Sequence, residues 1–287
     1  MHHPRRHVFH GNSSAVSARI RRPVDICMPV QAACSLPVTG GLSEGKVGPL
    51  KFGERKPTGR TALGGDPDTY ISFDSASAKA HGDYIDQEKA VQMTHGKVRF
   101  DEVPTVTTVA AEVVNLVVIG RVKIGLASMA MVAHSPVVGE PSIPCEAALT
   151  GVEVDGYPVN ITLDVPFFCE CDTMSKLSAA AAAGRNPKCF FPAGASASYG
   201  FNSHNGMVKA TLVTAMDWAG EKHPEATIDG HTIIIPDFGK VHFAEIFVTK
   251  DARRLTMATF HFGSPDGGDA TAASGDSNGG KWPPDGT

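Results

Sequence analysis

Between Thr105 and Ala133 both alternating faces of the chain are largely apolar and β-branched: TVTTVAAEVVNLVVI, then Gly120-Arg121, then VKIGLASMAMVA. Length and β-branching read as two paired strands central in a two-layer sheet stack, joined by a two-residue turn at Gly120-Arg121. The signature returns three times. Thr150–Val154 and Val159–Leu163 flank Asp155-Gly156-Tyr157-Pro158. Ala226–Ile228 and Thr232–Ile235 flank Asp229-Gly230-His231, and Lys240–Thr249 and Arg253–Phe262 flank Lys250-Asp251-Ala252. Each is a pair of strands around turn-forming residues. Tyr70–Phe73 and Lys97–Phe100 are shorter extended segments. One helix stands out at Met174–Ala183, with Asp172-Thr173 to cap it, Gly184 to end it and Pro187 to forbid continuation. A weaker helical turn falls at Gln87–Met93.

About ten strands and one short helix predict an all-β chain, a β-sandwich or jelly roll with flexible termini. The pattern places a single domain at residues 67–262. Residues 1–66 are basic and His-rich, then dense in Gly, Pro and Lys, and read as a flexible arm. Residues 263–287, GSPDGGDATAASGDSNGGKWPPDGT, read as a disordered tail.

Composition narrows the function classes. A net charge of −4 argues against nucleic acid as a partner, because phosphate-binding domains are basic. The longest apolar stretch, Val113–Ala133, is interrupted by Asn115, Arg121 and Lys123, so no membrane span is expected. The first 27 residues lack the apolar segment of a secretory signal, which makes a cytoplasmic protein the default and a surface protein the alternative.

The candidate chemistry is sparse. Cys169 and Cys171, in Phe167-Phe168-Cys169-Glu170-Cys171-Asp172-Thr173, precede the expected helix, where a helix N-terminus lowers a thiol pKa. Cys145 and Cys189 complete a candidate four-thiolate zinc site, although the spacing is not that of a Cys-x-x-Cys knuckle. Disulfides and plain buried thiols are the competing readings. His242, Glu245, His261 and Asp237 converge if their strands are neighbours. On a regular strand, however, His242 and Glu245 point to opposite faces. Phe190, Phe191, Tyr199 and Phe201, among small residues after the helix, are candidates for a ligand-binding loop, with completion of the core as the alternative. Nucleophile elbows, phosphate loops and dinucleotide-binding glycine motifs are absent.

The segments GVEVDGYPVNITLD (151–164) and IPDFGKVHFAEIFVTKDARRLTMATFHF (235–262) resemble bacterial β-sandwich surface proteins of the choice-of-anchor type. The resemblance covers about a third of the chain and implies the fold, with no catalytic residues to carry over. Two functions fit these observations. One is a non-catalytic sandwich that binds a protein partner or its own copies as a homo-oligomer. The other is a metal- or thiol-dependent enzyme built on Cys169 and Cys171.

Overall fold

The computed structural model describes residues 6–7, 9–21, 26–36, 41–54, 69–98, 102–191, 207–263, 267–278 and 281–282. In chain order the strands are β1 (Arg6–His7), β2 (Phe9–Ile20), β3 (Ile26–Leu36), β4 (Gly41–Val47), β5 (Leu50–Glu54), β6 (Thr69–Phe73) and β7 (Ser75–Tyr84). There follow β8 (Thr105–Val118), β9 (Val122–Ser135), β10 (Cys145–Val154), β11 (Tyr157–Leu163), β12 (Met207–Thr211) and β13 (Val213–Trp218). The last are β14 (Thr227–Asp229), β15 (Thr232–Ile235), β16 (Gly239–Thr249), β17 (Ala252–Phe262), β18 (Gly268–Asn278) and β19 (Lys281–Trp282). Three helices interrupt them: α1 (Gln87–Thr94), α2 (Val165–Glu170) and α3 (Met174–Ala182).

Apart from β1 and β19, which pair with each other, the strands form two antiparallel sheets packed face to face as a β-sandwich. Sheet I runs β13-β11-β10-β9-β8-β6-β5, with β7 also on β8 and β4 on β7; sheet II runs β14-β15-β16-β17-β18-β2-β3, with β12 on β16. β2 and β18 lie across the core from β8 and β9. Two glycines let the layers approach closely there. A Cβ on Gly11 would meet Val109 at 2.7 Å, and one on Gly275 would meet Met129 at 2.9 Å. No helix among the described residues is long and apolar enough to cross a membrane.

The sandwich is larger than the 67–262 span that patterning delimits. β2 and β3 at one end of the chain and β18 at the other pair in register as part of sheet II, while β4 and β5 extend sheet I. These strands are written in Ala, Ser and Gly, whose hydropathy is too even to show a period of two, yet Ala15, Ala18, Ala32, Ala270 and Ala272 are buried.

The other departures are local. Ile119 (φ +52°) and Gly120 (φ +64°) are the central turn residues between β8 and β9, so the two-residue turn sits one position earlier than Gly120-Arg121. α3 matches the expected helix, capped by the Thr173 side chain accepting from Lys176 N. α2 was not expected. Asp164 caps it, accepting from Phe167 N, and Pro166 sits in its first turn.

Four long strands of sheet II, β2, β16, β17 and β18, are creased at one level, while β3 alternates regularly through residues 29–34. On a regular strand inward and outward residues alternate, but here two consecutive residues face the core: Ala15-Val16 on β2, Phe243-Ala244 on β16, Met257-Ala258 on β17 and Ala272-Ala273 on β18. These positions are neighbours across the sheet, and pairing skips from Phe243↔Ala258 to Glu245↔Thr256 and from Ala258↔Ala272 to Thr256↔Ser274. Ala244 (φ +49°) and Ala273 (φ +46°) take left-handed backbone. Sheet I carries the complementary crease, with two outward residues at Val114-Asn115, Gly125-Leu126 and Thr150-Gly151 and positive φ at Asn115 and Gly151. The extra residue lengthens the side it faces, so both sheets bend the same way and the outer face of sheet II becomes concave.

Ala244 therefore combines left-handed backbone with complete burial. Ala244→Val should lower stability by about 2 kcal/mol or more, because a β-branched residue fits neither the φ nor the space. Ala244→Gly should stay within about 1 kcal/mol of the native chain. Urea denaturation checks both, and equal midpoints for the two variants would contradict the crease.

Candidate functional site

The concave outer face of sheet II holds a groove of about 730 Å³. Lys209 on β12, His242 and Glu245 on β16, Arg254 and His261 on β17 and Asp276 on β18 line it, with His231 from the β14–β15 turn. Hydroxyls of Ser14, Thr232, Thr256, Thr259, Thr271 and Ser274 fill the spaces between the ionisable groups.

The crease brings the centre of this site together. With Phe243 and Ala244 both turned inward, the side-chain parity of β16 reverses, and His242 and Glu245 share the outer face. The expectation that they oppose each other fails for that reason. Thr232 pairs with His242 across β15 and β16. The Gly230-His231 turn, with Gly230 at φ +59°, carries His231 over the same face.

The contacts are specific. Glu245 Oε1 accepts from Lys209 Nζ at 2.9 Å and lies 3.3 Å from His231 Nε2. Lys209 and Glu245 are each only 18% exposed, so the pair is partly desolvated. The Thr232 hydroxyl lies 2.8 Å from His242 Nδ1. The ring centroids of His231 and His242 are 5.7 Å apart, and those of His242 and His261 are 5.2 Å apart. Phe191 packs on His231 with centroids at 4.7 Å, and the Lys209 ammonium sits 5.1 Å from its ring centre. One donor atom each from His231, His242 and Glu245 lies within 4.8 Å of the others.

Burial and charge set the protonation states. Desolvation lowers the His242 pKa to about 4, with nearby His231, His261 and Lys209 acting in the same direction against Glu245. Glu245 is penalised by burial, but hydrogen bonds from His231 and Lys209 overcome that and hold it at about 2. The neutral imidazole and the carboxylate are both ligand-competent forms.

The thiols sit elsewhere. Cys169 lies inside α2 and Cys171 caps its C-terminus, because Asp164 starts a helix ahead of them. Cys171 thus closes α2 two residues ahead of Thr173, the N-cap of α3, and Cys169 lies further back within α2 rather than at a helix N-terminus. Cys169 Sγ donates to Cys145 O at 2.9 Å. Burial pushes Cys145 up to about 11 and raises Cys171. Cys189 lies apart in the Pro187–Cys189 turn, pushed up to about 11 by burial and by Asp164. Among the described residues, the one group of three ligand types close enough to hold an ion is the histidine–glutamate cluster. Phe190 bridges to Ala210 and packs edge-on against Phe167, completing the core. Tyr199 and Phe201 lie outside the described residues. Asp237 sits in the β15–β16 turn, away from the groove.

Two further charged residues have structural work that their sequence neighbourhood does not signal. Arg253, beside a turn, is buried and donates to Phe168 O at 3.1 Å and Cys171 O at 2.7 Å, tying down the end of α2. Arg121 makes a bidentate pair with Asp155, whose Oδ2 also lies 3.2 Å from His223 Nε2. His223 Nδ1 accepts from the Glu225 and Ala226 amides, so this histidine is fully engaged in holding the loop.

Fold and groove define a two-sheet β-sandwich with a polar, concave outer face. The family described as a domain of unknown function, DUF8256, matches residues 7–186 and 190–249, and the chain belongs to it. No curated protein and no solved structure matches the chain. The matched span includes Lys209, His231, His242 and Glu245.

The two depressed pKa values give the site a signed pH dependence. Between about pH 6.5 and 4 an unfolded histidine binds a proton that native His242 refuses, so stability falls as pH drops through that window. Glu245 contributes stability that is fully present above about pH 4.5 and lost as pH falls towards 2. Urea midpoints against pH should therefore flatten above pH 4 in His242→Gln and below pH 4.5 in Glu245→Gln. Profiles parallel to the native one in both variants would contradict this.

Proposed function

We propose that the chain is a non-catalytic β-sandwich binding protein whose ligand surface is the groove on sheet II. The observation that carries this is the convergence of Lys209, His231, His242 and Glu245, partly desolvated, on one concave face. Open antiparallel sheet faces in soluble proteins are usually solvated by scattered polar residues. Here the ionisable groups are instead in mutual contact and bordered by hydroxyls, an arrangement suited to a polar ligand or to a polar segment of a partner. Self-association through this face is the form of the reading in which the partner is a second copy.

The thiol-enzyme alternative draws no support from the cysteine environments. Cys145, Cys171 and Cys189 are buried with raised pKa values, whereas nucleophilic thiols need depressed ones.

Thr259 is half-buried on β17 opposite His242, within the groove. Thr259→Trp should fill the groove while leaving the core untouched. Native mass spectrometry of freshly purified, untagged protein is expected to show bound mass, a small molecule or a second copy. That mass should be lost in Thr259→Trp at an unchanged melting temperature. A bare monomer for the native chain, or bound mass undiminished in the variant, would contradict the reading.

A further inference from the structure

We propose that His231, His242 and Glu245 form a site for one divalent first-row transition-metal ion, zinc in the first instance, with open coordination positions facing the groove. The inference deepens the reading of the groove as a ligand surface and rests on it. Two imidazoles and one carboxylate are a donor set that suits zinc and its neighbours rather than calcium or magnesium.

The geometry is close to ready. One donor from each residue lies within 4.8 Å of the others. A tetrahedral ion with bonds of about 2.0–2.1 Å needs donors about 3.4 Å apart. Side-chain rotations that shift each donor inward by about an ångström close that gap. Three ligands from two adjoining elements occupy one side of the ion, so its remaining positions face the groove and its hydroxyls.

The surroundings match those that orient metal ligands. The Thr232 hydroxyl engages His242 Nδ1 at 2.8 Å, which fixes the ring and leaves Nε2 as its donor atom. Phe191 clamps the His231 ring from one face. Lys209 holds the Glu245 carboxylate in place and competes with the ion for it.

The test is titration calorimetry of Zn²⁺ into the chelator-treated full-length chain near neutral pH, with Co²⁺ absorption as the coordination signature. His2, His3, His7 and His10 are further imidazoles that can compete for the ion, so the variants decide rather than stoichiometry alone. We expect a saturable ion with micromolar or tighter affinity and cobalt d–d bands without a thiolate charge-transfer band. His231→Ala, His242→Ala and Glu245→Gln should each weaken it by about 100-fold or more. Thr232→Val should weaken it about tenfold, the scale of a lost outer-shell partner. Lys209→Met should tighten it, and Cys145→Ser with Cys169→Ser should leave it unchanged. Circular dichroism and melting temperatures identify any variant that fails to fold, and Thr232→Val and Lys209→Met keep the test open in that case. No saturable binding, native-like binding in the His242→Ala/Glu245→Gln double variant, or a thiolate band would overturn the proposal. Zinc absent while Thr259→Trp still removes a groove ligand defeats the metal site alone. Zinc bound with no groove ligand defeats the wider binding reading instead.

Discussion

The crease across the two sheets is the constraint on which the rest depends. Main-chain pairing couples neighbouring strands, so an irregularity in one is either matched by the next, as from β16 through β17 and β18 to β2, or absorbed as a bulge, as between β2 and β3. The chain meets this with small residues. Ala15, Ala244, Ala258, Ala272 and Ala273 are buried along the line in sheet II, and Gly125 and Gly151 lie along it in sheet I. The two lines have opposite sense, inward in one layer and outward in the other, which lets bent sheets remain nested around one core. Gly11 and Gly275, pressed against Val109 and Met129, bring the layers close near the same region.

The site follows from that bend. Without the parity reversal at Phe243-Ala244, Glu245 would point into the apolar core and could reach neither Lys209 nor His231. With it, a carboxylate, a lysine and two histidines share a concave, partly desolvated surface. Their protonation states are then set by each other as much as by solvent: hydrogen bonding holds Glu245 ionised and burial holds His242 neutral. Partly desolvated charged groups that do not hold the core mark this face as the candidate functional site. Arg253 and the Arg121–Asp155–His223 network show the contrast: Arg253 and Arg121 donate to backbone carbonyls, and His223 Nδ1 accepts from a loop amide, all within the fold.

Much of the fold was legible in the sequence. β8, β9, β16 and β17 announce themselves by dense β-branched alternation, and α3 by its cap and alanine run. β2, β3 and β18 did not, because Ala, Ser and Gly serve equally in buried strands and in flexible tails; only their pairing partners decide. α2 was hidden by its brevity, and with it the fact that Cys169 and Cys171 lie at a helix C-terminus. For the site, His242, Glu245 and His261 were identifiable as residues, but strict alternation separated the first two. Ala244 carries no sequence mark of a left-handed residue, as Gly or Asn would. Lys209 and His231 come from β12 and from a turn that only the strand order places beside β16.

The central claim is that the crease sets His242 and Glu245 side by side. The most direct measurement is the His242 pKa by NMR titration, in the native chain and in Glu245→Gln. The account predicts a native value near 4, far below the ordinary histidine range, and a lower one once the neighbouring negative charge is removed. A His242 that titrates in the ordinary range and does not move in Glu245→Gln would place the two side chains on opposite faces and contradict the account.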